Sequence, residues 1–194
     1  MEKLKREFYD RGTLTVAREL LGKHLVRVLN GEILVCRITE TEAYIGRCDK
    51  ACHAYNYRRT ARTETLFTQP GTAYIYFIYG MYHCLNFVTE PEGEPAAVLI
   101  RSLEAVSGLE AMTRLRYPKV TGELTAYQRK NFLNGPGKLC KALSLNRSLN
   151  GTDLTGDTLY VLDAGETPEH INTGPRIGID YAEEAVGFPW RFWL

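Results

Sequence analysis

The chain has 194 residues, with 24 Lys+Arg against 23 Asp+Glu, a formal net charge of +1 and 44% hydrophobic residues. At roughly 150 residues per domain that is one domain, and the composition excludes general disorder. No apolar run approaches the ~20 residues that cross a bilayer, the first ten residues lack the apolar stretch of a secretory leader, and five scattered cysteines do not suggest a disulfide framework, so a cytoplasmic protein is expected.

Asp10 or Thr13 is placed to cap a helix running through Leu21, with Gly22 to end it. Lys23 to Leu29 reads as a strand, Asn30-Gly31 as a type I′ turn and Glu32 to Tyr44 as the return strand. An arginine-rich loop leads to Pro70-Gly71. Gly71 to Thr89 is dense in aromatic and β-branched residues, and Gly80 near its middle predicts a second hairpin with its tip at Tyr79 to Met81. Val98 to Leu103 follows as a strand, and Ser107 with Glu110 as a capping box for a helix toward Arg116. Further helices are expected around Leu124 to Phe132 and from Pro136 to about Leu145, with late strands at Leu159 to Leu162 and Arg176 to Ile179. The pattern is α+β: a single compact domain over residues 1–194, with a largely antiparallel sheet and flanking helices.

With a period of two and no bulge, Leu34, Cys36, Ile38, Glu40, Glu42 and Tyr44 share one face of their strand. A carboxylate where an apolar face ends is partly desolvated, which suits it to polarise a water; it is equally the place where a strand simply meets solvent. The chain holds 12 Tyr against 7 Phe and 2 Trp, so tyrosine outnumbers the other two aromatic types together. Tyr74, Tyr76 and Ile78 fall on one face of the second hairpin, where phenol rings either line a pocket for a flat ligand or pack a sheet core. Tyr79, beside Gly80 at the tip, has little core to enter.

The near-zero net charge hides segregation. Leu124 to Thr152 contains Arg129, Lys130, Lys138, Lys141 and Arg147 and no acid, and Arg58, Arg59 and Arg62 interleave with Tyr55 and Tyr57. Acids gather in Glu90 to Glu94 and at Glu183-Glu184, so one basic face suited to phosphates is expected, with the Glu90 to Glu94 loop pointing away from it. Asn134-Gly135-Pro136-Gly137-Lys138 is either such a phosphate contact or ordinary turn punctuation. Cys48, Cys52, His53, His83 and Cys84 lack the paired C-x₂-C spacing of a zinc site, so the cysteines read as buried thiols, with no metal expected. No Walker loop, dinucleotide fingerprint or nucleophile elbow is present, and no cofactor is expected.

Three segments carry a family resemblance: Glu40-Thr41-Glu42-Ala43-Tyr44, then Gly71-Thr72-Ala73-Tyr74-Ile75-Tyr76 with Tyr79-Gly80-Met81-Tyr82, then Gly135-Pro136-Gly137-Lys138-Leu139-Cys140. Together, in that order, they resemble the alkyladenine (3-methyladenine) DNA glycosylase family. The resemblance implies a curved antiparallel sheet with a protruding β-hairpin, and a monomer acting on double-stranded DNA that contains a damaged purine. It implies that Glu42 activates the attacking water, that Arg101 helps to hold it, and that the backbone carbonyl of Ile177 is the water's third ligand. By the same resemblance Tyr44, His53 and Tyr76 bind the extruded base and Asn86 crowds the amino group of normal guanine. Tyr79 would fill the gap in the duplex, with Thr60, Met81 and Tyr82 beside it; Arg58, Arg62 and Lys138 complete the expected DNA contacts. The chain departs from the family pattern at Ala61, Thr63 and Gly137 and carries two extra residues between Asn86 and Arg101. A hydrolase of free nucleosides and a non-catalytic nucleic-acid-binding module are the alternatives. The first would not need Tyr79 or the basic stretch, and the second would leave DNA uncleaved.

Overall fold

The β-rich runs pair into one connected sheet in which every strand pair is antiparallel, in a computed structural model that describes residues 1–194. In chain order the strands are β1 (Glu2–Lys3), β2 (His24–Leu29), β3 (Glu32–Ile45), β4 (Ala73–Ile78), β5 (Tyr82–Val88), β6 (Ala96–Ser107), β7 (Leu159–Asp163), β8 (Asn172–Gly174) and β9 (Arg191–Trp193). Their spatial order is β1-β7-β2-β3-β6-β5-β4, with β9 joining β3 and β8 joining β9. The helices are α1 (Arg6–Tyr9), α2 (Thr13–Glu19), α3 (Leu109–Arg116), α4 (Ala126–Lys130) and α5 (Pro136–Ala142). The architecture is the expected α+β fold.

Both predicted hairpins form. Asn30 and Gly31 take φ of 50° and 82°, the left-handed pair that a type I′ turn demands. Tyr79 and Gly80 take 54° and 67°, and the Met81 amide closes the turn on the Ile78 carbonyl at 3.3 Å.

The principal core lies on one face of the sheet. Leu34, Cys36 and Ile38 of β3, Leu85 and Phe87 of β5, and Val98 and Ile100 of β6 pack there with Val16 and Ala17 of α2 and with Leu139 and Cys140 of α5. Each large apolar side chain removed from water contributes ~1.5–3 kcal/mol, enough to bind these helices to the sheet. A smaller cluster on the opposite face gathers Cys52, Leu66, Phe67, Tyr74, Val88 and Ala97.

Two extra residues reverse the sheet's facing between these layers. Ile38 pairs with Leu103 and Glu40 with Ser102, which leaves Thr39 unpaired; Thr41 then pairs with Ile100, which leaves Arg101 unpaired. One bulge on each strand flips the alternation, so the core face passes from Ile38 to Thr41 and Ala43. Glu40, Glu42 and Tyr44 therefore lie on the opposite face from Leu34, Cys36 and Ile38, not on the same face as an unbroken period of two predicts.

Other expectations are corrected. Neither Asp10 nor Thr13 caps α2: Gly12 holds that position, and Thr13 gives its amide (3.3 Å) and hydroxyl (2.6 Å) to the Glu90 carboxylate. A negative charge from a distant loop thus sits at the helix start. Glu90 is accordingly buried, 6% exposed and also paired with Arg47 at 2.5 Å, while Glu92 of the same loop is exposed. Ser107 ends β6, and Gly108 at φ 80° opens α3 without a side-chain cap. The capping box occurs instead at Thr125 and Gln128, ahead of α4. Arg176 to Ile179 is no strand, because Arg176 and Ile177 spend their polar groups on Asp49 and Glu42.

Glu90→Ala removes three contacts to a buried carboxylate and is expected to cost about 1–3 kcal/mol of stability. A thermal melt of the variant, set beside the parent, checks it.

Candidate active site

The reversed face opens into a cavity of about 570 Å³, within the range of small-molecule sites. Glu42, from the bulged stretch of β3, is the one carboxylate among its lining residues and is 0% exposed. Tyr44, Tyr74, Tyr76 and His53 form an aromatic wall, with His53 and Tyr76 edge to face at 4.6 Å between centroids. Arg101 and Leu99 enter from β6 and Cys84 and Asn86 from β5, while Ile177 and Tyr181 come from the segment after β8.

A buried carboxylate needs partners. The Ile177 amide donates to Glu42 Oε1 at 2.9 Å and the Tyr44 hydroxyl donates to Oε2 at 2.7 Å. Arg101 Nη1 stands 3.5 Å from Oε1, while its Nε donates to Glu40 at 3.1 Å. Burial pushes the Glu42 carboxyl above its ordinary range, against the opposing pull of Arg101, Ile177 and Tyr44. Raising an acid's pKa makes its ionised form a stronger base.

The segment that brings Ile177 is anchored by a second buried pair. Arg176 bonds both Asp49 oxygens at 2.5 and 2.8 Å, with neither side chain exposed, and its remaining contacts reach the carbonyls of Ala43 and Ala185. Its guanidinium lies 4.6 Å from the Tyr44 ring centroid and 5.2 Å from that of Trp190. Neither Asp49 nor Arg176 stands out in the sequence, since 127 residues separate them and no local motif marks either.

His53 Nδ1 lies 3.1 Å from the Tyr74 hydroxyl. Burial, helped by the nearby charge of Arg62, lowers its pKa to about 4. Asn86 is buried, and its Nδ2 donates to the carbonyls of Tyr74 (3.1 Å) and Cys84 (3.4 Å), which fixes the amide in the cavity wall.

The cavity mouth is basic. Arg116, Lys138 and Lys141 line it, and Arg62 lies 5.1 Å over the Tyr76 ring. Lys138 reaches the side-chain oxygens of Asn131 and Asn134 at 2.8 Å each. Arg116 was not singled out in the sequence, where it is only the last residue of a short amphipathic helix. Tyr79 stands at the hairpin tip, 77% exposed, with Met81 and Tyr82 also exposed beside it.

Thr60 and Arg58 lie on the exposed loop outside the cavity lining. Thr63 is buried under that loop, its hydroxyl bonded to the Arg58 carbonyl and the Thr60 amide, so this departure from the family pattern has a local structural use. Gly137 has one too: a Cβ there would stand 2.7 Å from the Tyr82 ring, so glycine lets the hairpin root pack on α5. No three His, Cys, Asp or Glu side chains converge as a metal cage requires.

Fold and cavity together present an aromatic-walled space beside a desolvated carboxylate. The methylpurine-DNA glycosylase (MPG) family model matches residues 7–194, and the chain belongs to that family, whose members hydrolyse N-glycosyl bonds in DNA. It is 53% identical over 192 residues to a protein of Alkaliphilus oremlandii (99% of this chain, 95% of the relative). The figures are 53% over 195 residues for a protein of Clostridium perfringens strain SM101 (99% and 95%) and 50% over 194 residues for one of Desulfitobacterium hafniense strain Y51 (100% and 96%). All three carry the name "Putative 3-methyladenine DNA glycosylase".

A histidine with a pKa near 4 stays neutral throughout the physiological range. Nitrogen-15 NMR of the His53 ring is therefore expected to show no titration between pH 8 and 5 and a midpoint far below the ordinary 6.5.

Proposed function

We propose that the protein is a monofunctional DNA glycosylase, working as a monomer, that extrudes alkylated or deaminated purines from duplex DNA and hydrolyses the N-glycosyl bond to leave an abasic site. The observation that carries the reading is Glu42 at the base of a cavity walled by phenol rings and rimmed by arginine and lysine. The relatives' name supports 3-methyladenine as one substrate.

A stacked base lies out of reach of a cavity, so the nucleotide must swing out at a cost of a few kcal/mol. Tyr79 occupies the vacated gap, and stacking on Tyr44 and Tyr76, with His53 beside them, offsets the rest at ~1–3 kcal/mol per stacked base. Arg116, Lys138 and Lys141 face the flanking phosphates, with Arg58, Arg62, Thr60, Met81 and Tyr82 along the outer surface. Asn86, with its Nδ2 spent on backbone carbonyls, is held where it crowds the exocyclic amino group of guanine.

Glu42 then takes a proton from water as the water oxygen bonds to C1′, and the glycosyl electron pair leaves with the base. Arg101 and the Ile177 carbonyl hold that water. The contact that Ile177 makes in the free protein is a different one, from its amide to Glu42, and it keeps the carboxylate aimed. A cationic alkylated purine departs neutral and needs no acid. Neutral His53 supplies no imidazolium for other lesions at pH 7.

Glu42→Gln is expected to bind a duplex carrying an alkylated purine as the parent does, while single-turnover excision falls by ~10²–10⁴-fold. Base release and filter binding on the same duplex check this, and parent-like release would remove Glu42 from the reaction. Borohydride is expected to trap no covalent adduct, because the attack is by water.

A further inference from the structure

Glu40 is the carboxylate two residues before Glu42 on the same strand, and no step described above uses it. Its Oε1 accepts from Arg101 Nε at 3.1 Å and from Arg191 Nε at 2.5 Å. All three side chains are largely withdrawn from solvent, with exposures of 18%, 16% and 25% for Glu40, Arg101 and Arg191. With Glu42 they make two acids and two cations, a neutral set.

The geometry around Arg101 is asymmetric. This residue is the unpaired one in the β6 bulge, so its backbone is not set by the β3 ladder. Its Nε is held by Glu40, and its Nη1 stands 3.5 Å from Glu42, beyond the ~2.7–2.9 Å of a charge-assisted hydrogen bond. An arginine free to turn beside a buried carboxylate closes on it as a two-pronged pair. That closure stabilises the ionised acid, weakens it as a base and occupies the oxygens that a water needs.

We propose that Glu40 is a positioning residue: braced by Arg191, it holds Arg101 at Nε so that the guanidinium stays beside Glu42 without closing on it. The role rests on the reading of Glu42 as general base. The charged and titratable groups that face Glu42 are Glu40 and Tyr44 on its own strand, Arg101 on β6, Cys84 on β5 and Arg176 after β8, with Arg191 on β9 reaching it by way of Glu40.

The test is the pH profile of single-turnover excision on a lesion duplex. In the parent the rate falls as acid protonates Glu42. Glu40→Gln removes a like charge and releases Arg101, both of which favour the ionised carboxylate, so the acidic limb is expected to move down by about one pH unit. The plateau is expected to fall ~10–100-fold while lesion binding stays within about twofold. Glu40→Asp keeps the charge but draws it back from Arg101, and is expected to move the limb the same way by less; it decides the matter if Glu40→Gln does not fold. An acidic limb at the parental pH overturns the positioning role, even if the plateau drops, because loss of structure alone lowers the rate without moving the limb. Glu42→Gln on the same duplex separates the two readings. Turnover in that variant refutes the base, whereas an inactive Glu42→Gln beside an unmoved Glu40→Gln limb refutes the positioning role only.

Discussion

A carboxylate without solvent contact must be satisfied from inside the molecule, and the site is organised around meeting that demand for Glu42. One oxygen receives a backbone amide from the far end of the chain and the other a phenol two residues along its own strand. Burial raises the acid while these donors and Arg101 pull the other way. The carboxylate is thus dry and yet fully partnered, the state that the proposed role as general base calls for.

The means of putting Glu42 there is an insertion in each of two neighbouring strands. Without the unpaired Thr39 and Arg101, residue 42 would follow Leu34, Cys36 and Ile38 into the main core, where a carboxylate could not stay. The two bulges turn the same stretch of sheet outward, so a strand that anchors helices at one end lines a cavity at the other. The buried Asp49–Arg176 pair then completes the wall. Removing either partner would leave a charge unpaired in the interior, a penalty larger than that of most single substitutions, so the segment that delivers the Ile177 amide is tightly held.

Charge is arranged by the same economy. A total of +1 conceals a cavity whose lining cations outnumber its single acid, because the balancing carboxylates are engaged elsewhere. Glu90 holds the start of α2, and Glu183 and Glu184 hold Lys50. The exposed hairpin tip with Tyr79 adjoins the cavity, so an exposed aromatic ring and lining cations meet at one edge of it.

Local chemistry was readable wherever a feature depends on near neighbours in the chain. Asn30-Gly31 specified its turn because both residues tolerate positive φ, the tyrosine alternation specified which rings share a wall, and Gly80 specified the hairpin tip. The motifs around Glu42, Tyr76 and Gly137 were enough to point to the family. The bulges were not readable, because an extra residue in a strand leaves no trace in hydrophobic period until its partner strand is known. The Asp49–Arg176 pair, the bond from Ile177 to Glu42 and the tether of Arg101 by Glu40 and Arg191 join residues 61 to 151 positions apart. Contacts at that separation arise only when the sheet closes, since nothing in the intervening chain prefers them until packing excludes water from both partners.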